Sequence, residues 1–219
     1  MDLKSRRIER MDLSPLLLSL KVAITATAMV TISGLALAIL MVKLRFPGKS
    51  LLEVFLTLPL VLPPSVVGYY LLLILGRNGP LGWLNWLFTW KAAVLASWLV
   101  ALPLMFRSAK AALESVDPSL EMVARTLGAP PWKAFLEVTL PLASRGIMAG
   151  IILSFARALG EFGATLMVAG NIPGKTRTIP LAIYTAVQAN RMDLATLWVV
   201  ITVSLAFAFI LMVNKLQPR

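Results

Sequence analysis

Five stretches of this chain run for about 20 residues or more with nearly all of their charges close to the ends, and nothing else in the sequence constrains the fold so tightly. A helix needs that length of apolar surface to cross the hydrocarbon core of a bilayer, because its backbone polar groups must be satisfied within the segment itself. The runs cover residues 16–42, 51–75, 92–112, 142–168 and 194–213, with Lys21 as an early interruption of the first. They predict an all-α, polytopic membrane bundle of about five transmembrane helices, a single transmembrane domain over residues 1–219 with a flexible tail at 1–12. The first run is longer than the apolar region of a cleavable signal peptide and shows no small-residue cleavage site, so it reads as a retained span.

Composition agrees with a chain solvated by lipid: 58% of residues are hydrophobic, 14% are charged, and the mean hydropathy is +0.83. The formal charge of +11 raises nucleic acid as a partner, but most basic residues fall in short segments between apolar runs, as membrane proteins place them. Cysteine and histidine are absent, which removes disulfides, thiolate or imidazole metal ligands and the commonest general base. The 10 acidic residues lie mostly in loops and form no paired carboxylates. No catalytic site, metal site or cofactor of the chain's own is expected.

Five crossings place the termini on opposite sides, so the basic residues can be weighed side against side. Lys43, Arg45, Lys49, Arg107, Lys110, Arg125, Lys133, Arg145, Lys215 and Arg219 share one side; Arg77, Lys91, Lys175, Arg177 and Arg191 share the other. The richer side is cytoplasmic by the positive-inside rule, which puts the N-terminus outside and the C-terminus inside. The tail MDLKSRRIER runs against this balance; MDL recurs at Met11, which makes Met11 an alternative start.

On the cytoplasmic side, LEMVARTLGAPPWKAFLEVTLP interrupts the apolar pattern at residues 120–141. Asp117 suits an N-cap, Pro118 the first helical position and Gly128 the residue just past the end. Leu120, Val123, Ala124 and Leu127 share one face of that short helix, and Glu121 and Arg125 have the spacing of an i,i+4 pair. Pro130-Pro131 forbids its continuation, and a second amphipathic turn follows with Lys133 and Glu137 paired. A helix floating on the membrane surface is one reading. Ala124 and Gly128, one turn apart, favour another: a flat spot where a second protein comes close.

The spacing of Glu121, Val123-Ala124 and Gly128, then nine residues, then Val138-Thr139-Leu140-Pro141, resembles the cytoplasmic "EAA" loop of the membrane subunits of binding-protein-dependent ABC importers. Val123 stands for the first alanine of that motif, and Glu121 lies one place early. The segments RFPGKS (45–50), LPLVLPPSVVGYYLLLILGRNGPLG (58–82) and FARALGEFGATLMVAGNIPGKTRTIPLAIY (155–184) are similar to the molybdate-type permeases of that group, with sulfate and tungstate permeases as near relatives. The resemblance implies the type I ABC importer permease fold. It implies a coupling loop over residues 117–138, with Leu120, Glu121, Val123, Ala124, Arg125, Gly128, Ala129 and Pro131 engaging a cytoplasmic ATPase subunit. It further implies a homodimer of this chain with two ATPase copies, an extracytoplasmic oxyanion-binding protein and ATP used by the partner.

PGKS at 47–50 and PGKT at 173–176 look like the tail of a phosphate-binding loop, but the glycine such a loop requires five positions earlier is Lys43 in one case and Ala169 in the other. Within the membrane, Pro59, Pro63 and Pro64 interrupt the hydrogen-bond ladder of the second run. Broken helices line substrate routes in transporters, and packed proline kinks are the other reading. Arg157 and Glu161 sit i,i+4 inside the fourth run, where charges are expensive and face a bundle interior or a wet cavity. An arginine neutralised by its neighbour binds anions poorly, so a structural or gating pair is the reading taken. Pro63, Pro64, Arg157, Glu161 and Thr165 are thus candidate pathway or gate residues. Gly146, Gly150, Gly160 and Gly163 permit close helix approach, within one subunit or across a dimer. A channel or secondary transporter would call for internal repeats or an ion relay, and a scaffold would leave the loop spacing unexplained.

Overall fold

The computed structural model describes residues 12–44 and 46–216, with side chains as far as Leu211. Residues 1–11 of the expected tail, Arg45 and the C-terminal Arg219 therefore lie outside what is described, as does the side chain of Lys215. Nine α-helices follow one another among the described residues, with a short 3-10 turn at Gly82–Leu84 and no strand. They are α1 (Ser14–Lys43), α2 (Lys49–Thr57, prolonged by a 3-10 turn at Leu58–Leu60), α3 (Pro64–Leu75), α4 (Trp90–Glu114) and α5 (Pro118–Thr126), then α6 (Pro131–Leu159), α7 (Gly163–Ala169), α8 (Ile179–Gln188) and α9 (Met192–Leu216).

α1, α4, α6 and α9 are each long and apolar enough to cross a bilayer unbroken. The fifth crossing follows from how α1 and α4 lie. Lys21 near the start of α1 sits 3.9 Å from the ring centroid of Trp90 at the start of α4. Lys43 at the end of α1 meets Glu121 just beyond the end of α4. The two helices are parallel, so the chain between them must return across the bundle, and α2 with α3 makes that return through a bend of 110°. Proline chemistry accounts for the break: Pro64 drives Pro63 out of the helical region, to φ −54° and ψ 138°, and Pro64 then opens α3. The sequence foresees an interrupted second span; the structure makes it two short helices at a steep angle.

α4 is the central helix, mostly buried, whereas α9 is largely exposed. α1 and α6 pack along it around Val30, Met41, Val100, Met105 and Phe106, all buried. Lipid tails are as apolar as these side chains, so close packing rather than escape from water holds the helices together. A Cβ at Gly150 would lie 2.9 Å from Ser108 Cβ and 3.1 Å from Met105 Sδ, and one at Gly146 would strike Ala112. Gly146 and Gly150 thus serve packing within the subunit. Lys110 bonds Glu53 at 2.6 Å and pins α2 to α4. α8, too short to span, packs with Ile179 and Ala182 against Trp198 of α9, and Phe155 of α6 stacks on Phe209 at 4.5 Å.

Candidate functional site

The loop between α4 and α6 is built as its capping residues dictate. The Asp117 carboxylate accepts the Ser119 N–H at 2.8 Å and Pro118 opens α5. At the far end the N–H groups of Leu127, Gly128 and Ala129 close back on the carbonyls of Val123, Arg125 and Ala124, each at 3.1 Å. That turn requires φ +94° at Gly128, a conformation glycine adopts without strain. Pro130 is extended and Pro131 starts α6, so the second amphipathic turn is not a separate element but the first turns of a span. Lys133 and Glu137 pair there at 3.8 Å, as their spacing predicts.

Among the described residues, nothing covers the outer face of this loop. A Cβ on Gly128 would meet nothing within 4 Å, and Leu120, Met122, Val123, Leu127, Trp132 and Leu136 are all exposed, Leu127 to 84%. Arg125 is exposed beside them, while Ala124 and Ala129 are half-buried at the turn. Contiguous exposed apolar surface rimmed by charge is the mark of a docking site.

Glu121 points the other way. Its carboxylate takes both bonds of the Lys43 ammonium, 2.6 Å to Oε2 and 2.8 Å to Oε1, and accepts the Thr139 hydroxyl at 2.9 Å. The Lys43 hydrogen bonds hold its carboxyl below the usual carboxylate range, against a smaller opposing effect of burial and with lesser help from Thr139. The i,i+4 pair expected with Arg125 is therefore corrected: Arg125 acts on Glu121 only through its field, because the Glu121 side chain, 17% exposed, faces the bundle and Arg125 faces out. Thr139 lies in a π-helical turn, Phe135–Thr139, that joins the first turn of α6 to the rest of that helix. Such turns cluster at functional sites. A cleft of ≈ 270 Å³ opens around the pair, lined by Ile39, Val42, Val116 and Phe135 among others. The sequence places Thr139 in the loop motif and Lys43 among the basic residues of that side, but gives neither as a partner of Glu121, since nothing local links Lys43 to a residue 78 positions away.

The intramembrane candidates gather at a second place. The fourth run, expected as one helix over 142–168, ends at Leu159 and restarts as α7 at Gly163. Glu161 explains the break: its Oε1 accepts the Ala164 N–H at 2.8 Å, taking a donor that a continuous helix would give to the backbone. Oε2 lies 2.7 Å from Arg157 Nη1, an electrostatic contact without a well-directed hydrogen bond. The Glu161 side chain is 1% exposed and that of Arg157 30%. α7 then packs on α3: a Cβ at Gly163 would come 3.1 Å from Pro64 Cβ, and one at Gly68 would come 2.9 Å from Ala164 Cα. The two broken spans thus meet at their breaks. Pro63, Pro64, Glu161 and buried Thr165 belong to this junction, with Arg157 attached from the last turn of α6. Beyond α7, the amides of Lys175 and Thr176 in the PGKT segment and of Arg177 just after it all turn onto the Ile172 carbonyl.

Residues 21–219 match the family of the binding-protein-dependent transport system inner membrane component. The chain belongs to this family. The ModB molybdenum transport system permease protein of Escherichia coli K12 is 51% identical over 179 residues, 78% of each chain. The YvgM protein of Bacillus subtilis, a putative molybdenum transport system permease, is 44% identical over 209 residues, 92% of each. The sulfate transport system permease protein CysT of E. coli K12 is 36% identical over 85% of this chain and 69% of its own. Among solved structures, the fold is shared with an alginate ABC importer at a TM-score of 0.70 and 17% identity, covering 91% of this chain and 77% of that one. It is shared equally with an inward-facing methionine ABC transporter, MetNI, at 0.66 and 14% over the whole of both chains. Family membership makes the chain an inner-membrane component of a transport system, in keeping with its four to five candidate spans.

Proposed function

We propose that this chain is the permease subunit of an ATP-driven molybdate importer. It works as a homodimer with two cytoplasmic ATPase subunits and an extracytoplasmic oxyanion-binding protein. The observation that carries the ATP-driven part is the α5 turn, which presents an apolar face with nothing among the described residues covering it, at the spacing typical of the family's ATPase-contacting loop. The preference for molybdate follows the gradient of identity, from 51% and 44% for molybdenum permeases to 36% for a sulfate permease. The charge balance supports a cytoplasmic loop, with the N-terminus outside and the C-terminus inside.

In this reading, closure of the ATPase dimer draws the two α5 turns together, and the movement opens the route to the outside. The junction of Pro63-Pro64 with Glu161 and α7 lies where two interrupted helices can shift against one another, which suits a gate. The test is the reconstituted complex of permease, ATPase and binding protein in liposomes, with ATP hydrolysis measured against molybdate, tungstate and sulfate. Stimulation by molybdate at the lowest concentration is expected. Stimulation by sulfate alone would move the chain to the sulfate importers, and hydrolysis indifferent to all three would remove the oxyanion assignment.

A further inference from the structure

The acidic residue of the loop motif is turned away from the face left open for a partner. Glu121 is held from two other elements at once, by Lys43 at the last turn of α1 and by Thr139 in the π-turn of α6. The Lys43 ammonium is itself held over the Phe135 ring at 5.0 Å. Opposite it, Gly128, Leu127 and Val123 are open. One short helix thus carries an exposed outer face and an inner face fastened by three charge-assisted bonds. α5 has no fully buried residue, so apolar packing contributes little to holding it and the charged bonds matter more.

We propose that Glu121 is a latch rather than a contact to the ATPase: it locks α5 to α1 and α6, so that a push on the outer face moves those two spans as one body. This inference rests on the reading of α5 as the coupling helix. Thr139 sits in a turn whose widened geometry yields more readily than a regular helix, and α1 packs along the central α4. The latch therefore connects the loop to the core of the bundle and to the only π-turn among the described residues. Without it, α5 still presents its outer face but swings on the Asp117 and Gly128 turns.

The test uses the full complex with ATPase and binding protein in liposomes. Lys43→Met and Glu121→Gln are compared with the conservative Lys43→Arg, the exchange Lys43→Glu with Glu121→Lys, and Gly128→Leu on the docking turn. Two quantities are read: co-purification of the ATPase, and oxyanion uptake per ATP hydrolysed. Lys43→Met and Glu121→Gln should retain the ATPase but lose about tenfold in uptake per ATP, a common size for coupling between sites. Lys43→Arg and the exchange should restore the ratio, which a role in folding alone would not predict. Loss of the ATPase from Glu121→Gln to the extent seen with Gly128→Leu would overturn the latch and make Glu121 a docking contact. A wild-type ratio in Lys43→Met would overturn it as well. Should Lys43→Met fail to assemble, the exchange decides: coupled uptake supports the latch, and an assembled but uncoupled exchange refutes it. If Gly128→Leu keeps both ATPase and uptake, the coupling reading falls and the latch falls with it, a result distinct from either failure above.

Discussion

Removing the arginine from the Arg157–Glu161 pair is the perturbation whose size the structure defines best. Arg157→Met leaves a carboxylate that is 1% exposed with no cation beside it. Stranding one member of a buried pair costs roughly 3–5 kcal/mol, and the 30% exposure of Arg157 argues for the lower end, about 3. The reverse deletion differs in kind. Glu161→Ala frees an arginine that already reaches partly out, but also takes away the acceptor of the Ala164 N–H, a cap worth about 1 kcal/mol. Glu161→Gln keeps a side-chain oxygen for that N–H while discarding the charge. The combination Arg157→Met with Glu161→Gln therefore leaves neither an unpaired charge nor an uncapped α7, and should stand close to the native protein.

For chains of 150–250 residues each kcal/mol moves the melting midpoint by about 2–4 °C, so Arg157→Met alone should lower it by about 6–12 °C. The assay is the thermal midpoint of the detergent-solubilised complex, followed by the monodisperse peak remaining after heating, with uptake measured on the same four proteins. Recovery of the midpoint in the double variant to within a degree or two of native is expected. An unshifted midpoint in Arg157→Met, or a double variant that falls by the sum of the two single losses, would refute a mutually satisfying pair. Recovery of the midpoint without recovery of uptake would keep the pair as a structural element and add a contact between Arg157 and the passing anion.

Three further outcomes follow from the same geometry. Gly68→Leu forces its Cβ to within 2.9 Å of Ala164 Cα on α7, where backbone must yield, so complex yield should fall with a loss of about 1–3 kcal/mol in stability. In a chain without native cysteine, a cysteine replacing Asn78 or Lys175 should react with an impermeant thiol reagent added outside intact cells, and one replacing Ser119 should not; the opposite pattern would invert the proposed orientation. Because Lys43 depresses the Glu121 carboxyl below its ordinary 4.5, the latch contributes in full above that value and fades only as pH falls through the lower folded value. Uptake per ATP in the native complex should thus be level from neutral pH down to about 4.5, and a decline already complete at pH 6 would count against the carboxylate as the group involved.

What was legible in the sequence and what was not divides along the range of the interactions. Arg157 with Glu161, Lys133 with Glu137, the Asp117 cap and the glycine at 128 are local patterns one helical turn or less in extent, and each is formed. The break at Pro63-Pro64 is local too, but the 110° it opens to depends on α3 seating Gly68 against α7, a contact between residues about a hundred positions apart. α8 escaped notice because its ten residues are apolar yet far short of a span. The fourth run reads as one helix because apolar residues resume at once after Glu161, whereas its course is decided by that one carboxylate competing for one N–H.

The misassigned partner of Glu121 shows why range matters in energetic terms. An exposed i,i+4 pair with Arg125 would be worth about 0.3–0.5 kcal/mol, since both heads stay solvated and long side chains must be held still. The alternative, invisible to any local rule, offers a carboxylate that is largely sheltered two bonds from one ammonium and a third from a buried hydroxyl, and hydrogen bonds to charged groups contribute about 1.5–3 kcal/mol each. Even after a generous discount for the 38% exposure of the Lys43 side chain, the distant partner outweighs the near one. Once the carboxylate turns inward, Arg125 is left on the outer face of α5 beside Val123 and Leu127, where a cation is available to an incoming acidic or polar partner. The inward turn of one side chain thus separates the two faces of the loop helix, one held by the bundle and the other free to be pushed.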